Sequence, residues 1–326
     1  MFLDSQIEYL LYLQNLRESL NGFFDPFFMS VTNFGEYLIS FAFLSFIYWS
    51  INKKAGEFLI LTHAFSILIN IFVKMMAGIN RPWILSDKIK PVAEAIPGAS
   101  GYSFPSGHTA KAMAIWGGLA VWLWDKKLVR YSMLILILLI AFSRNYLGVH
   151  TPQDVIFSLV AGVFILFFAN RIKIKAEKDN SVCKKVFYAG VISSVVILGV
   201  VLFKYYNLSG QNFFDYAYQM PSFYFNFGYA FGVIAGWFAC KTFITYETDN
   251  ISWAKRISRF VFGFLILLII MYQISPVLIA DFGNCKGNLI SAFVLGIFLT
   301  FFYPWIFTRV ERHFNFKGFE RLLKRD

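Results

Sequence analysis

Apolar residues in this chain come in long unbroken runs, not at the spacing of a one-sided helix or strand. Phe260 to Ala280 is 21 residues without a charge, and Val186 to Phe203 is 18. Runs of this length cross a bilayer as helices, because lipid leaves the backbone no partner except itself. Nine spans are predicted, at about 31–50, 57–76, 107–124, 128–145, 152–170, 186–204, 222–240, 260–280 and 288–308. The fold class is therefore an all-α integral membrane protein with about nine transmembrane helices. The first twenty residues carry Asp4, Glu8 and Glu18 and lack the basic start and apolar core of a signal peptide. They read as an amphipathic helix lying at the interface.

Composition agrees with this reading. The 326 residues are 58% hydrophobic, 20% aromatic and 15% charged, more apolar than a soluble core requires. The net charge of +11 acts mainly as a topology signal. With nine spans the termini face opposite sides. Of the 30 Lys and Arg residues, 21 fall on the C-terminal side and five (Arg17, Lys88, Lys90, Lys204 and Lys286) on the other. Lys74, Arg81, Lys111 and Arg144 sit at or within the membrane. The excess places the C-terminus in the cytoplasm. For a bacterial cell this means the cytoplasmic membrane, with the N-terminus outside. No aqueous domain is long enough to present a basic patch, so nucleic acid is excluded as a partner. The basic tail, residues 311–326, is expected to rest on anionic lipid. Cys183, Cys240 and Cys285 imply no disulfide framework.

Three polar segments interrupt the oily pattern: Lys74 to Arg81-Pro82, Pro105-Ser106-Gly107-His108, and Ser143-Arg144 followed by His150 and Asp154. Ionisable groups at membrane depth are costly and usually functional. Lys74 and Arg81 stand two helical turns apart at the outer rim; snorkelling at the interface is their simpler reading. Pro105-Ser106 is a helix-start signal in which Ser106 can cap. Gly107 admits close approach of a ligand to the backbone, and free amides at a helix start bind anions. A capped helix with an incidental histidine is the alternative. Thr151-Pro152-Gln153-Asp154 is a second helix start. Asp154 there can compensate the helix dipole and can reach back to orient His150, and neither role excludes the other. All three segments fall on the outer side and share the chemistry of an anion site.

In that order, K-x6-R-P, P-S-G-H and S-R-x5-H-x3-D resemble the three signature segments of the type-2 phosphatidic acid phosphatase superfamily. The match covers about a quarter of the chain, and the nine-span plan resembles the glucose-6-phosphatase branch. The resemblance implies a phosphatase helix-bundle core. Lys74, Arg81 and Arg144 would hold the phosphoryl oxygens, and backbone amides at Ser106 and Gly107 would complete the cradle. His150 would form a phosphohistidine with Asp154 orienting it, and His108 would protonate the leaving oxygen. Side chains would carry the charge stabilisation, so neither a metal nor a cofactor is expected.

The expected domains are an interfacial segment (1–30), a phosphatase core with all three motifs (31–172), and additional helices with a basic tail (173–326). The expected function is metal-independent dephosphorylation of a lipid phosphate at the outer face. The substrate would be of the phosphatidic acid, phosphatidylglycerophosphate, isoprenyl pyrophosphate or sphingoid type. A sugar-phosphate phosphatase is the second reading, and a non-catalytic lipid-phosphate binder or transporter the third. The partners are the bilayer and the lipid phosphate; the sequence does not indicate an oligomeric state. The outer loop 77–104 joins two motifs and reads as a lid or substrate entrance. The last four spans read as packing or a cavity wall. Glu36 reads as a structural partner for a cation or a shaper of the leaving-group pocket. Lys111 approaches the site or snorkels, His63 is a core residue, and His313 lies in the tail.

Overall fold

The computed structural model describes residues 2–179 and 181–314, which are helical with no strand among them. The helices are α1 (Phe2–Ser19), α2 (Asp25–Asn33), α3 (Tyr37–Phe46), α4 (Lys53–Ala77), α5 (Pro82–Leu85), α6 (Gly107–Ala112), α7 (Gly118–Trp122), α8 (Lys127–Tyr146), α9 (Pro152–Lys178), α10 (Ser181–Tyr206), α11 (Gly210–Phe243), α12 (Trp253–Ile269), α13 (Ser275–Ile297) and α14 (Tyr303–Phe314). A π-helical turn, Met113–Gly117, joins α6 to α7 without a break. The all-α membrane class expected from the hydropathy pattern is the fold observed.

α4 is the mast of the bundle. Asn52 starts it by accepting a hydrogen bond from the Ala55 amide, and Gly78 ends it in the left-handed conformation at φ 61°, where only glycine avoids a steric cost. Twenty-five residues at 1.5 Å each make it about 37 Å long, enough to join the two membrane faces. α6 and α9 pack against it, α8 packs in turn on α6 and α9, and α10 and α11 lie along its flank. At the Lys53 end a polar cluster ties the first and last thirds of the chain together. Arg259 grips Glu311 through Nε (2.7 Å) and Nη2 (2.9 Å) and donates to the carbonyls of Trp49 and Glu247. Lys255 also pairs with Glu311 at 2.8 Å. Glu311, expected in a tail on the lipid surface, is thus held inside the fold; the tail beyond residue 314 lies outside the described residues.

The C-terminal third is built on close helix contact. Gly228, Gly232 and Gly236 recur every four residues on α11, and a Cβ at the first two would overlap the carbonyl oxygens of Leu289 and Phe293. From the facing strip of α13, a Cβ at Gly296 would fall 2.5 Å from the Tyr229 carbonyl. Small residues at this spacing let two backbones touch, which is how helices associate where lipid offers no hydrophobic drive. α13 reverses direction at Gly283 (φ 79°, ψ 165°), so that Gly263 lies against Tyr303.

The count of about nine spans is not confirmed. Among the described residues, six helical runs are long and apolar enough to cross a membrane, or seven when Asp25–Asn33 and Tyr37–Ile51, bent by 45°, count as one. Two features separate this from the sequence count. Trp253–His313 is one run of 61 residues by length although it folds back at Gly283. The stretch from Gly107 to Trp122 is short and almost wholly buried.

The N-terminal segment is helical as expected, but α1 docks on the protein through polar as well as apolar residues. Leu10 and Leu13 are buried together with Gln6, Gln14 and Arg17. Gln6 exchanges two hydrogen bonds with Gln153, one through its side chain and one through its amide. Gln14 accepts from the Lys90 amide, and Arg17 donates to the Lys90 carbonyl at 2.8 Å. This helix therefore braces both the outer loop and the start of α9.

Candidate active site

All three polar segments meet at the Lys74 end of α4. The third folds as its residues dictate. α8 ends after Arg144, whose carbonyl accepts from the amides of Val149 and His150, and Gly148 makes the turn at φ 74°. Asn145 donates to the His150 carbonyl at 2.9 Å. Asp154 accepts from the Thr151 amide at 2.8 Å in a capping box that starts α9. The same carboxylate oxygen lies 3.1 Å from His150 Nδ1, so capping and orienting are one arrangement rather than alternatives.

A carboxylate at Nδ1 favours the tautomer with its proton there and the lone pair on Nε2. His150 Nε2 faces Arg81 Nη1 at 2.8 Å, and a guanidinium can only donate. Arg81 is otherwise fixed by the carbonyls of Gly101, Ser100 and Val149, each at 2.9 Å. Lys74 donates to the carbonyls of Tyr102 (2.6 Å) and Ser103 (3.3 Å). Both cations of the first segment are buried and held by the 100–103 backbone, which sets aside the snorkelling reading.

Ser106 caps the following helix: its Oγ accepts from the Thr109 amide and hydroxyl. Its own amide donates to the Asp154 carbonyl at 3.1 Å. The expected use of the Ser106 amide in an anion cradle therefore does not match the geometry, because that donor is already engaged. Gly107 and His108, the first two helical residues, are the ones whose amides leave the helix end without an intrahelical partner. Ser158 Oγ bonds the carbonyls of both Ser106 and Asp154, locking the second segment to the third.

Arg144 is 1% exposed. Its Nη1 donates to Thr32 Oγ1 at 2.6 Å, while Nε and Nη2 have no partner. Such a pair of buried, unsatisfied N–H groups is costly. Arg144 lies near enough to act electrostatically on His108, His150 and Glu36. His108 Nε2 sits 2.6 Å from Glu36 Oε1. Lys111 places its ammonium 3.8 Å over the Tyr37 ring, and the Tyr37 hydroxyl bonds Asn226 of α11. Lys111 therefore faces inward, not out to solvent. Three motif cations and Lys111 outnumber the carboxylates of Asp154 and Glu36, leaving a site suited to an anion.

Every predicted side chain reaches this cluster. Sequence reasoning missed Thr32 and Ser103. Ser103 donates to Asp154 Oδ2 at 2.5 Å, and no local pattern marks it or Thr32. His63 is a core residue as expected, with its ring against Tyr229. The outer loop is not featureless: it contains α5 and short 3-10 turns at Ala93–Ala95 and Pro97–Ala99, and its Val92 amide bonds the Leu147 carbonyl.

Comparison with known proteins identifies the family. Residues 55–178 match the PAP2 superfamily, and residues 224–313 match the transmembrane extension of PAP2 superfamily phosphatases. The chain is 29% identical to an undecaprenyl-diphosphatase of Bacillus subtilis over 45% of this chain and 75% of the relative. It is 26% identical to lipid phosphate phosphatase delta of Arabidopsis thaliana over 46% of this chain and 39% of the relative. An undecaprenyl-diphosphatase of Sulfolobus acidocaldarius is 28% identical over 37% of this chain and 56% of its own length. No solved structure matches. The two family regions together cover more than half of the sequence and contain all three polar segments, so this chain belongs to the PAP2 superfamily of phosphatases.

Proposed function

We propose that the protein dephosphorylates a phosphorylated membrane lipid at the outer face of the membrane, without a metal, through a phosphohistidine on His150. The observation that carries this reading is the pair of unsatisfied N–H groups on buried Arg144. They belong to a cluster in which one histidine is backed by a carboxylate and another is placed to act as an acid. A phosphoryl group would take both donors, together with Arg81, Lys74 and the amides of Gly107 and His108.

In the first step His150 Nε2 attacks phosphorus, the bond to the leaving oxygen breaks, and His108 gives that oxygen a proton. The Arg81 Nη1 contact with Nε2 passes to a phosphoryl oxygen as the substrate binds. In the second step water attacks the phosphohistidine, His108 takes a proton from it, and inorganic phosphate leaves with His150 restored. Charge on the phosphoryl oxygens is met by fixed cations, the largest contribution of such sites. On the nine-span plan, the 21-to-5 distribution of basic residues supports an outward-facing site and a cytoplasmic C-terminus. Two relatives named undecaprenyl-diphosphatase make an isoprenyl diphosphate the first substrate to try.

The test is phosphate release by the purified protein in detergent with EDTA, comparing farnesyl diphosphate, phosphatidic acid and glucose 6-phosphate. Release from the lipids is expected. Preference for the sugar phosphate would overturn the lipid reading, and complete loss of release in EDTA would overturn the metal-independent mechanism.

A further inference from the structure

Glu36 belongs to none of the three polar segments. It lies 72 positions from His108 in sequence, yet its Oε1 is 2.6 Å from His108 Nε2. It occupies the N-cap position of α3 without capping it, and Glu is not among the residues favoured there. Its backbone carbonyl is anchored by the Ser40 amide and hydroxyl, which fixes the side chain's origin. Two glycines close around the pair. A Cβ at Gly35 would come 3.1 Å from His108 Cβ, and a Cβ at Gly98 would come 2.7 Å from Glu36 Oε1. The Glu36 side chain is 34% exposed while that of His108 is 6% exposed, so the carboxylate is the outermost member of the site.

We propose that Glu36 is the positioning residue of His108, as Asp154 is of His150, and that its carboxylate supports the charged imidazole from which the leaving oxygen takes its proton. The inference rests on the phosphatase reading. The charged and titratable groups acting on His108 are Arg144 from α8, Lys111 from its own helix, His150 across the site, and Glu36. Glu36 is the one carboxylate among them. Without it, neighbouring cations disfavour the imidazolium, and the leaving oxygen has no proton to take. With it, one N–H of the imidazolium is held by the carboxylate and the other is left to donate. The proton lost in the first step returns from water in the second, so the balance closes over one turnover.

The dependence on Glu36 follows the leaving group. An alcohol leaves poorly without a proton, whereas a phosphate monoester leaves well without one. Farnesyl phosphate and farnesyl diphosphate share a tail and differ in this respect. The test is steady-state kinetics of wild type and Glu36→Gln on both substrates across pH. The variant is expected to lose roughly 10²-fold in kcat on farnesyl phosphate and less than about threefold on farnesyl diphosphate, with KM unchanged. Removing the carboxylate makes His108 give up its proton at lower pH, so the falling alkaline limb for farnesyl phosphate should move to lower pH. Equal losses on both substrates, the mark of a packing defect, would overturn the proposal, as would no loss on either. Those outcomes leave wild-type turnover intact and the phosphatase reading standing. Wild-type protein that releases phosphate from neither substrate would overturn that reading and this inference with it.

Discussion

Replacing Arg144 with methionine separates the stability of the empty site from its chemistry, and the two should move in opposite directions. Arg144 is 1% exposed and leaves Nε and Nη2 unpaired. Each buried N–H without a partner costs about 1–3 kcal/mol. Against this stand one hydrogen bond to Thr32 at 2.6 Å and the packing of the side-chain stem, which methionine largely keeps. Arg144→Met should therefore stabilise the empty protein by about 2 kcal/mol, raising the melting temperature in detergent by a few degrees. In the loaded site the same two N–H groups become charge-assisted bonds worth about 1.5–3 kcal/mol each. Their loss should cost roughly 10²–10⁴-fold in kcat/KM. Orthovanadate, a mimic of pentacoordinate phosphorus, provides a measurement independent of turnover. At about 100 times its dissociation constant it should stabilise wild type by about 2.7 kcal/mol and the variant much less. Thermal unfolding with and without vanadate, read beside phosphate release, checks all three signs. A variant that is less stable than wild type when empty and keeps turnover within about tenfold would refute the assignment of Arg144 to the anion.

His150→Ala should abolish turnover and leave no acid-labile phosphoprotein when the reaction with radiolabelled substrate is quenched; an unaffected rate would remove His150 as the nucleophile. Ser103→Ala takes one donor from Asp154 but leaves the Thr151 amide and His150 in place, so kcat should fall about tenfold with KM little changed. Gly232→Val forces side-chain atoms against the Phe293 backbone and should cost about 1–3 kcal/mol, seen as a lower melting temperature.

The parts of the site legible in sequence are those set by local chemistry. Ser106 as a cap and Thr151-Pro152-Gln153-Asp154 as a helix start follow from rules that act within one or two turns. Thr32 against Arg144, Ser103 against Asp154 and Glu36 against His108 join residues 51 to 112 positions apart. No periodicity marks such pairs, because tertiary packing alone decides them. The Ser106 amide shows the same limit: a free donor by helix rules, it is taken by a carbonyl from another helix. The break at Gly283, by contrast, is legible: it falls between the predicted spans 260–280 and 288–308. One signal was present and not used. Gly228, Gly232 and Gly236 stand at the four-residue spacing of a close helix pair.

The bonds between the two helix starts bear on how this scaffold can diversify. The Ser106 amide meets the Asp154 carbonyl, and Ser158 bridges the carbonyls of both residues. The starts of α6 and α9, which carry His108 and His150, are thereby tied to each other by three bonds in which residues 82–97 take no part. Those residues instead brace the turn before His150, where Val92 bonds Leu147 and packs with Tyr146 and Val149. Exchanging residues 82–97 between relatives would therefore leave the bonds that join the two helix starts in place, but would have to preserve the Val92 support of the turn that carries His150.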